Sequence, residues 1–82
     1  MCEGDDTYAI VHQTVRIKAV EQCDDHPDIV KVIVRNIETG TEFRLFTDQK
    51  SHIKTCFNGL GKTVEVEYEG YSGELLGAKV RD

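Results

Sequence analysis

Two pairs of cysteine and histidine residues are the groups in this sequence that could bind a metal ion. One pair is Cys23-x-x-His26 and the other is His52-x-x-x-Cys56. Zinc takes four nitrogen or sulfur ligands at short spacings, and His52 and Cys56 would lie on one face of a helix. The order of the four residues is not a common zinc signature, so the alternative is a buried Cys56, an exposed Cys23 and two ordinary histidines. We favour no metal and no cofactor, and zinc stays the open alternative.

No arrangement of nucleophile, base or paired acids in the sequence predicts catalysis. A Cys56–His52 dyad would need a cleft and an oxyanion hole, which a short helix on a small domain does not provide. The glutamates of residues 63–69 are expected to face water, where their pKa values would not be separated as acid–base catalysis requires. Residues 59–63 lack the spacing of a phosphate-binding loop. We therefore expect a protein that is not an enzyme.

Five strands and one helix must position these groups. Alternating apolar and polar residues predict the strands. An apolar pattern at helical spacing predicts the helix, with Thr47 or Asp48 as its N-cap and Asn58-Gly59 as its stop. The predicted strands are residues 8–21, 29–37, 42–46, 63–69 and 74–81, and the predicted helix is residues 47–59.

This order of elements predicts the fold class. Five strands in a chain of 82 residues would leave exposed edges unless the sheet closes on itself. A five-stranded Greek-key barrel with a helix between its third and fourth strands is the OB-fold. We therefore predict an all-β domain with one short helix, a five-stranded OB-fold-like Greek-key barrel of order β-β-β-α-β-β. The barrel would span residues 7–82, and residues 1–6 would form a flexible acidic N-terminal tail.

Part of the chain carries the sequence features of a known domain. These are residues 36–48 (NIETGTEFRLFTD), residues 61–70 (GKTVEVEYEG) and residues 79–82 (KVRD). From about residue 36 to its end, the chain resembles the C-terminal OB domain of ATP-dependent DNA ligases. The resemblance implies an OB module of that type. It does not imply ligase activity, because the chain has no Lys-x-Asp-Gly motif to take the adenylate and stops where the family runs on to a further lysine.

Strand alternation separates the charges of the predicted barrel. The formal net charge is −5, from ten basic and fifteen acidic residues, which by itself counts against nucleic acid as a partner. However, seven of the ten basic residues fall at outward strand positions. The acids concentrate in the N-terminal tail, the first loop and the fourth strand. Because local potential steers a ligand, we predict a basic binding surface.

This surface defines the candidate site. The OB-fold binds nucleic acid across its second and third strands, where cations follow the phosphates and aromatic rings stack on bases. The alternatives are that Phe46 packs beneath the helix, that Tyr71 covers the mouth of the barrel, and that the cations form weak ion pairs in solvent. The candidate nucleic-acid-binding residues are Arg16, Lys18, Lys31, Arg35, Arg44, Phe46, Tyr71, Lys79 and Arg81.

Two functions fit these expectations. The first is a small OB-fold module that binds single-stranded or nicked nucleic acid, above all single-stranded DNA, as an accessory to a DNA replication or repair enzyme. The second is an acidic adaptor or inhibitor that binds a DNA-handling protein by imitating nucleic acid. We expect no contact with membranes, because no apolar run approaches the roughly 18 residues that cross one. The acidic start is not a signal peptide, and reduced cysteines favour the cytoplasm. The oligomeric state stays open.

Overall fold

A computed structural model describes residues 9–81 of the chain. The order of the elements confirms the predicted order and the all-β class with one short helix. The tail predicted at residues 1–6, the start of the first predicted strand at Tyr8 and the closing Asp82 lie outside the described residues. The elements are β1 Ile10–Gln22, β2 Val30–Asn36, β3 Glu42–Thr47, α1 Lys50–Asn58, β4 Thr63–Glu69 and β5 Leu75–Val80.

The five strands form one antiparallel sheet in the OB-like order β3-β2-β1-β4-β5. The sheet curls until its edges approach: Phe46 forms a parallel bridge with Glu74, and the Phe46 N–H donates to the Gly73 carbonyl at 2.8 Å. Pairing between β3 and β5 does not continue along the strands in residues 9–81, so the sheet is not closed. The fully closed barrel predicted from the sequence is wrong in this respect. Helix α1 packs against β5, and it covers this edge strand in place of a continuous ladder.

The core consists mostly of branched apolar residues on the inward face of the sheet. Alternation along a strand sends successive side chains to opposite faces. It predicts Val32 and Val34 of β2, Leu45 of β3 and Val64 and Val66 of β4 as inward residues, and all five are buried. The Phe43 and Tyr68 rings lie with their centroids 5.4 Å apart at this face. The buried apolar residues are Val15, Ile17, Val32, Val34, Leu45, Cys56, Val64, Val66, Tyr68 and Leu75.

A β-bulge in β1 changes which residues of that strand face inward. The register with β2 shifts between Ile17 and Ala19, which leaves Lys18 without a direct partner on β2. Beyond the bulge, Val20 pairs with the buried Val32 and packs against the core. Uninterrupted alternation from Val15 predicts Ala19 as an inward residue, and the bulge is the physical reason that this prediction is wrong.

A second irregularity changes the inward face of β5. The register between β4 and β5 shifts between Glu67 and Tyr68. Leu75 therefore lies opposite Tyr68 and is 2% exposed. Uninterrupted alternation through Ala78 and Val80 predicts Leu76 as an inward residue, but Leu76 is only half-buried.

Helix α1 begins later than predicted. Gln49 occupies the N-cap position, and no side-chain hydrogen bond caps the helix among the described residues. The Thr47 hydroxyl instead accepts a hydrogen bond from the Gln49 N–H at 3.1 Å. Thr47 thus forms a local turn ahead of the helix, and neither Thr47 nor Asp48 is the cap that the sequence predicted.

The apolar stripe predicted for the helix is only partly buried. Cys56 is fully buried, whereas Phe57 is 52% exposed and Leu60 is 41% exposed. A helix of nine residues has little more than two turns, so one narrow side of it reaches the sheet. Within residues 9–81, no helix has the length and the apolar character to cross a membrane.

Candidate nucleic-acid interface

The outward face of β1, β2 and β3 carries five of the predicted basic residues. Lys31 and Arg35 lie on β2 on either side of Ile33. Arg16 of β1 is the register partner of Arg35, and Arg44 of β3 is the register partner of Ile33. We name this surface the basic face, and its cations are Arg16, Lys18, Lys31, Arg35 and Arg44.

Both lysines of the basic face have a local counter-ion. The Lys18 Nζ lies 3.1 Å from the Glu42 Oε2, so its side chain reaches across β2 to β3. The Lys31 Nζ lies 3.3 Å from the Oε1 of its register partner Glu21. The expected surface ion pairs are present for these two residues, and exposed pairs of this kind contribute about 0–1 kcal/mol.

The three arginines of the basic face are exposed and differ from the lysines in their contacts. Arg16, Arg35 and Arg44 have no carboxylate within 4.0 Å among residues 9–81. The Arg35 Nε donates to the Gly40 carbonyl at 3.2 Å, which orients its guanidinium over the turn between β2 and β3. No carboxylate among residues 9–81 therefore neutralises these three groups.

Phe46 lies at the outward end of β3, opposite Lys31. Its ring is half-buried and packs beside the loop between β4 and β5, because a Cβ placed on Gly73 would come within 3.5 Å of it. Together with Ile29 and Glu74 it lines a shallow cavity of about 150 Å³. The packing neighbour of Phe46 is thus the β4–β5 loop, and part of the ring stays accessible.

Tyr71 lies in the same loop and is 70% exposed. The loop is held by Glu69, whose Oε1 accepts hydrogen bonds from the Ser72 N–H at 2.6 Å and the Tyr71 N–H at 3.1 Å. These hydrogen bonds lower the pKa of Glu69, and the bond from the Ser72 N–H has the largest effect. Because Gly73 of this loop contacts Phe46, the loop presents Tyr71 at the same end of the sheet as Phe46.

Lys79 and Arg81 lie apart from the basic face, on the outward wall of β4 and β5. Lys79 is the register partner of Glu65, and the Arg81 guanidinium forms an ion pair with Glu65. On the same wall, the His12 Nε2 lies 3.6 Å from the Glu67 Oε2. The glutamates on which the adaptor alternative depends are therefore interleaved with basic groups.

The four residues of the possible zinc set are not brought together. Cys56 is buried in the core, and burial raises the pKa of its thiol to about 11, which opposes the thiolate form that binds metals. Cys23 is a free, half-buried thiol, His26 is exposed, and the buried His52 Nδ1 has no hydrogen-bond partner in the described part of the chain. No group of three or more His, Cys, Asp or Glu side chains in residues 9–81 is placed to hold a metal ion.

A polar cluster at the β2–β3 turn, on the inward side of the sheet, was missed by sequence reasoning. The Asn36 Oδ1 accepts hydrogen bonds from the N–H groups of Glu38 at 2.8 Å and Thr39 at 2.9 Å. The Asn36 Nδ2 donates to the Gln13 Oε1 at 2.8 Å, and the Gln13 Nε2 donates to the Tyr68 hydroxyl at 2.7 Å. This chain of bonds ties the β2–β3 turn to the sheet. An asparagine that opens a turn is a recognisable signal, because its side chain bonds to the backbone two residues on.

The structure therefore gathers part of the predicted site at one surface. Arg16, Arg35 and Arg44 share the basic face with Phe46, and Tyr71 lies in the β4–β5 loop that contacts Phe46 through Gly73. Lys79 and Arg81 belong to a different wall. Comparisons with models of known protein families, with curated proteins and with solved structures found no match.

Proposed function

We propose that this protein is a small OB-like module that binds single-stranded or nicked nucleic acid on its basic face. It acts as an accessory to a DNA replication or repair enzyme and has no catalytic activity of its own. The cytoplasm is the compartment we propose, since free thiols such as Cys23 and Cys56 are typical of a reducing environment. The resemblance of residues 36–82 to the OB domain of DNA ligases agrees with this role.

The observation that carries the proposal is a set of three arginines on one face that have no carboxylate partner among residues 9–81. Arginine presents planar N–H donors that match a phosphate in two-point contacts. Arg16, Arg35 and Arg44 are all exposed and lack carboxylate partners among residues 9–81. They lie on three adjacent strands, and neighbouring strands are about 4.8 Å apart. A nucleic-acid backbone crossing the face would meet them in succession.

The aromatic residues add a second kind of contact at one end of this face. Phe46 is half-buried and Tyr71 is mostly exposed, so both rings have surface to offer to a base. Stacking on an aromatic side chain contributes about 1–3 kcal/mol per base and tolerates any sequence. Cations with aromatic rings at one end favour a single strand, whose bases are unstacked and accessible.

The negative net charge does not oppose this proposal. Residues 9–81 contain all ten basic residues and eleven of the fifteen acidic ones, so the described domain is close to neutral. The outward positions of β1–β3 hold five cations and only two carboxylates, those of Glu21 and Glu42. Local potential, rather than net charge, governs the approach of a ligand.

The test is a pair of charge-reversal variants that change the net charge equally. In the first, Arg35→Glu and Arg44→Glu reverse two arginines of the basic face. In the second, Lys50→Glu and Lys54→Glu reverse two exposed lysines of α1. Fluorescence anisotropy with a labelled oligothymidine should show loss of binding in the first variant and near wild-type binding in the second. Equal effects of the two variants would reject the basic face as the binding surface.

The salt dependence of wild-type binding separates this function from the adaptor alternative. Binding through phosphates weakens steeply with salt because counterions are released from the nucleic acid. Absence of oligonucleotide binding at low salt would refute the proposed function. The adaptor would then be favoured if this protein captured a DNA-handling protein and a heparin-like polyanion displaced that partner.

A further inference from the structure

A cleft of about 510 Å³ lies at the end of the basic face beside the β2–β3 turn. Arg16 and Arg35 line it together with residues 36–40 of the turn. The two arginines are direct register partners on β1 and β2, and both are exposed. Two arginines from adjacent strands therefore line one opening.

The turn holds one of these groups in place. Gly40 has a φ of 78°, and its carbonyl accepts a hydrogen bond from the Arg35 Nε at 3.2 Å. The terminal nitrogens of Arg35 have no partner within residues 9–81. Since the Asn36 side chain fixes the turn through the N–H groups of Glu38 and Thr39, the Arg35 fork is positioned before any ligand arrives.

Among residues 9–81, no carboxylate forms an ion pair with either arginine of the cleft. Glu38 also lines the cleft, but it lies farther than 4.0 Å from both guanidinium groups. Glu42 is the register partner of Arg35 on β3, yet its carboxylate is engaged by the Lys18 Nζ at 3.1 Å. Like charges at directly opposite positions of a sheet destabilise it. A bound anion would remove this repulsion, so the pair has the features of an anion site.

We infer that Arg16 and Arg35 together bind one phosphodiester group of a nucleic-acid strand. This inference rests on the proposed function and adds a defined phosphate site at the turn end of the face. Arg35 lies four residues along β2 from Lys31, which is about 13 Å in a strand. A strand whose bases stack on Phe46 at the Lys31 end would thus place a later phosphate in the cleft. Arginine forks bind phosphate oxygens in two-point, charge-assisted hydrogen bonds.

The first arm of the test uses inorganic phosphate alone. Nuclear magnetic resonance spectra that resolve arginine Nε–Hε signals are recorded during titration with phosphate, against sodium chloride of equal ionic strength. We expect saturable shifts of the Arg16 and Arg35 signals that chloride does not produce. Arg16→Gln should abolish the shift of Arg35, whereas Lys54→Gln on the helix should leave it. Absence of a saturable shift in the wild-type protein would overturn the site.

The second arm asks whether the two arginines share one phosphate of a strand. Affinity for a short oligothymidine is measured against salt for Arg16→Gln, Arg35→Gln and the double variant. Each lost contact with a phosphate of a single strand should reduce the slope of log K against log salt by about 0.7. We expect each single variant to bind about tenfold more weakly, with a slope that is reduced by about 0.7. The slope of the double variant should be no lower than that of either single variant. Additive reductions, or unchanged slopes, would overturn the shared site while leaving the proposed function in place.

Failure of the wild-type protein to bind any oligonucleotide has a different meaning. That result would refute the proposed function and the strand as the source of the phosphate. The inorganic phosphate titration would then decide the anion site by itself, because it requires no nucleic acid.

Discussion

The N–H of Phe46 donates a hydrogen bond of 2.8 Å to the carbonyl of Gly73, which joins the end of β3 to the loop between β4 and β5. Phe46 is a candidate stacking residue, and Gly73 lies two residues after Tyr71 in the same loop. The contact that brings the edges of the open sheet together therefore also holds the loop that carries Tyr71 against the end of β3. Weakening it should affect both the fold and the site.

Gly73→Ala is expected to open this junction. Gly73 has a φ of 76°, and a Cβ there would lie 3.2 Å from the Arg44 carbonyl oxygen. Backbone strain and crowding combined should lower the free energy of unfolding by about 2–4 kcal/mol. The Phe46 amide should also exchange its hydrogen faster. Gly61→Ala is the control, because Gly61 has the same φ of 76° but open space around it. Urea denaturation of both variants gives the difference, and equal losses would show that the contact with β3 is unimportant.

Gly59→Ala tests the packing of the helix end on the sheet. A Cβ at Gly59 would lie 2.8 Å from a methyl carbon of Val64 and 3.2 Å from one of Val80. Crowding of this kind in a packed core costs about 1–3 kcal/mol. Gly77→Ala is the control on β5, where the nearest atom would be 3.6 Å away. Because glycine weakens a strand by about 0.5–1 kcal/mol relative to alanine, thermal unfolding should show a lower Tm for Gly59→Ala and a higher one for Gly77→Ala. A neutral Gly59→Ala would contradict the packing.

The strands could be predicted wherever one uninterrupted alternation runs between two turns. The bounds of β4, Thr63–Glu69, agree with the prediction at both ends. Within the strand, Val64, Val66 and Tyr68 alternate with glutamates, and a glycine lies close to each end of it. The bulges of β1 and β5 could not be predicted in this way. A bulge depends on which residue of the neighbouring strand is opposite, so Ala19 and Leu76 were placed inward where Val20 and Leu75 belong.

The outward positions of the candidate residues could be predicted from the sequence, but their pairings could not. Alternation alone places Arg35 and Arg44 outward. That Lys18 binds Glu42 across β2, and that Arg16 is opposite Arg35, follows only from the register of three strands. The separation of Lys79 from the basic face depends on the strand order of the sheet, which no local pattern contains.

Tyr71→Ala should weaken the binding of single-stranded DNA without changing stability. The Tyr71 side chain is 70% exposed, so its removal costs the fold little, whereas loss of a stacked base costs about 1–3 kcal/mol of binding free energy.

Phe46→Ala should lower both binding and stability, because the ring is half-buried beside Gly73. Phe57→Ala removes an aromatic ring that is 52% exposed on α1, away from the basic face, and should leave the affinity unchanged. Anisotropy titration and urea denaturation of the three variants check this, and equal affinities of Tyr71→Ala and Phe57→Ala would exclude stacking on Tyr71.

Glu69 should make the stability of the β4–β5 loop depend on pH. Its pKa is lowered below its ordinary value of 4.5, chiefly by the hydrogen bond from the Ser72 N–H. A carboxyl group whose pKa is lowered in the folded state stabilises that state fully above the ordinary value. This contribution is lost as the pH falls through the lowered pKa. Glu69→Gln should therefore be less stable than the wild-type protein at neutral pH, with a difference that disappears in acid.

The control for this pH dependence is Glu67→Gln on the same strand. The Glu67 side chain is 41% exposed and does not bind the loop, so its replacement should change stability little at any pH. Chemical denaturation at a series of pH values measures both variants. A Glu69→Gln difference that persists unchanged in acid would show that the charge of Glu69 does not hold the loop.

Arg16→Gln should stabilise the free protein although it removes a candidate binding residue. Arg16 and Arg35 are opposite like charges on adjacent strands, an arrangement that costs about 0.2–1 kcal/mol relative to a neutral pair. Lys79→Gln is the matched control, because Lys79 is opposite the carboxylate of Glu65 and its loss should destabilise slightly. Both effects should shrink in 1 M salt, where the screening length falls to about 3 Å. Denaturation in low salt could instead show that Arg16→Gln is no more stable than the wild-type protein. The arginine pair would then have no repulsion for an anion to relieve, and a phosphate between the two residues would lose its energetic basis.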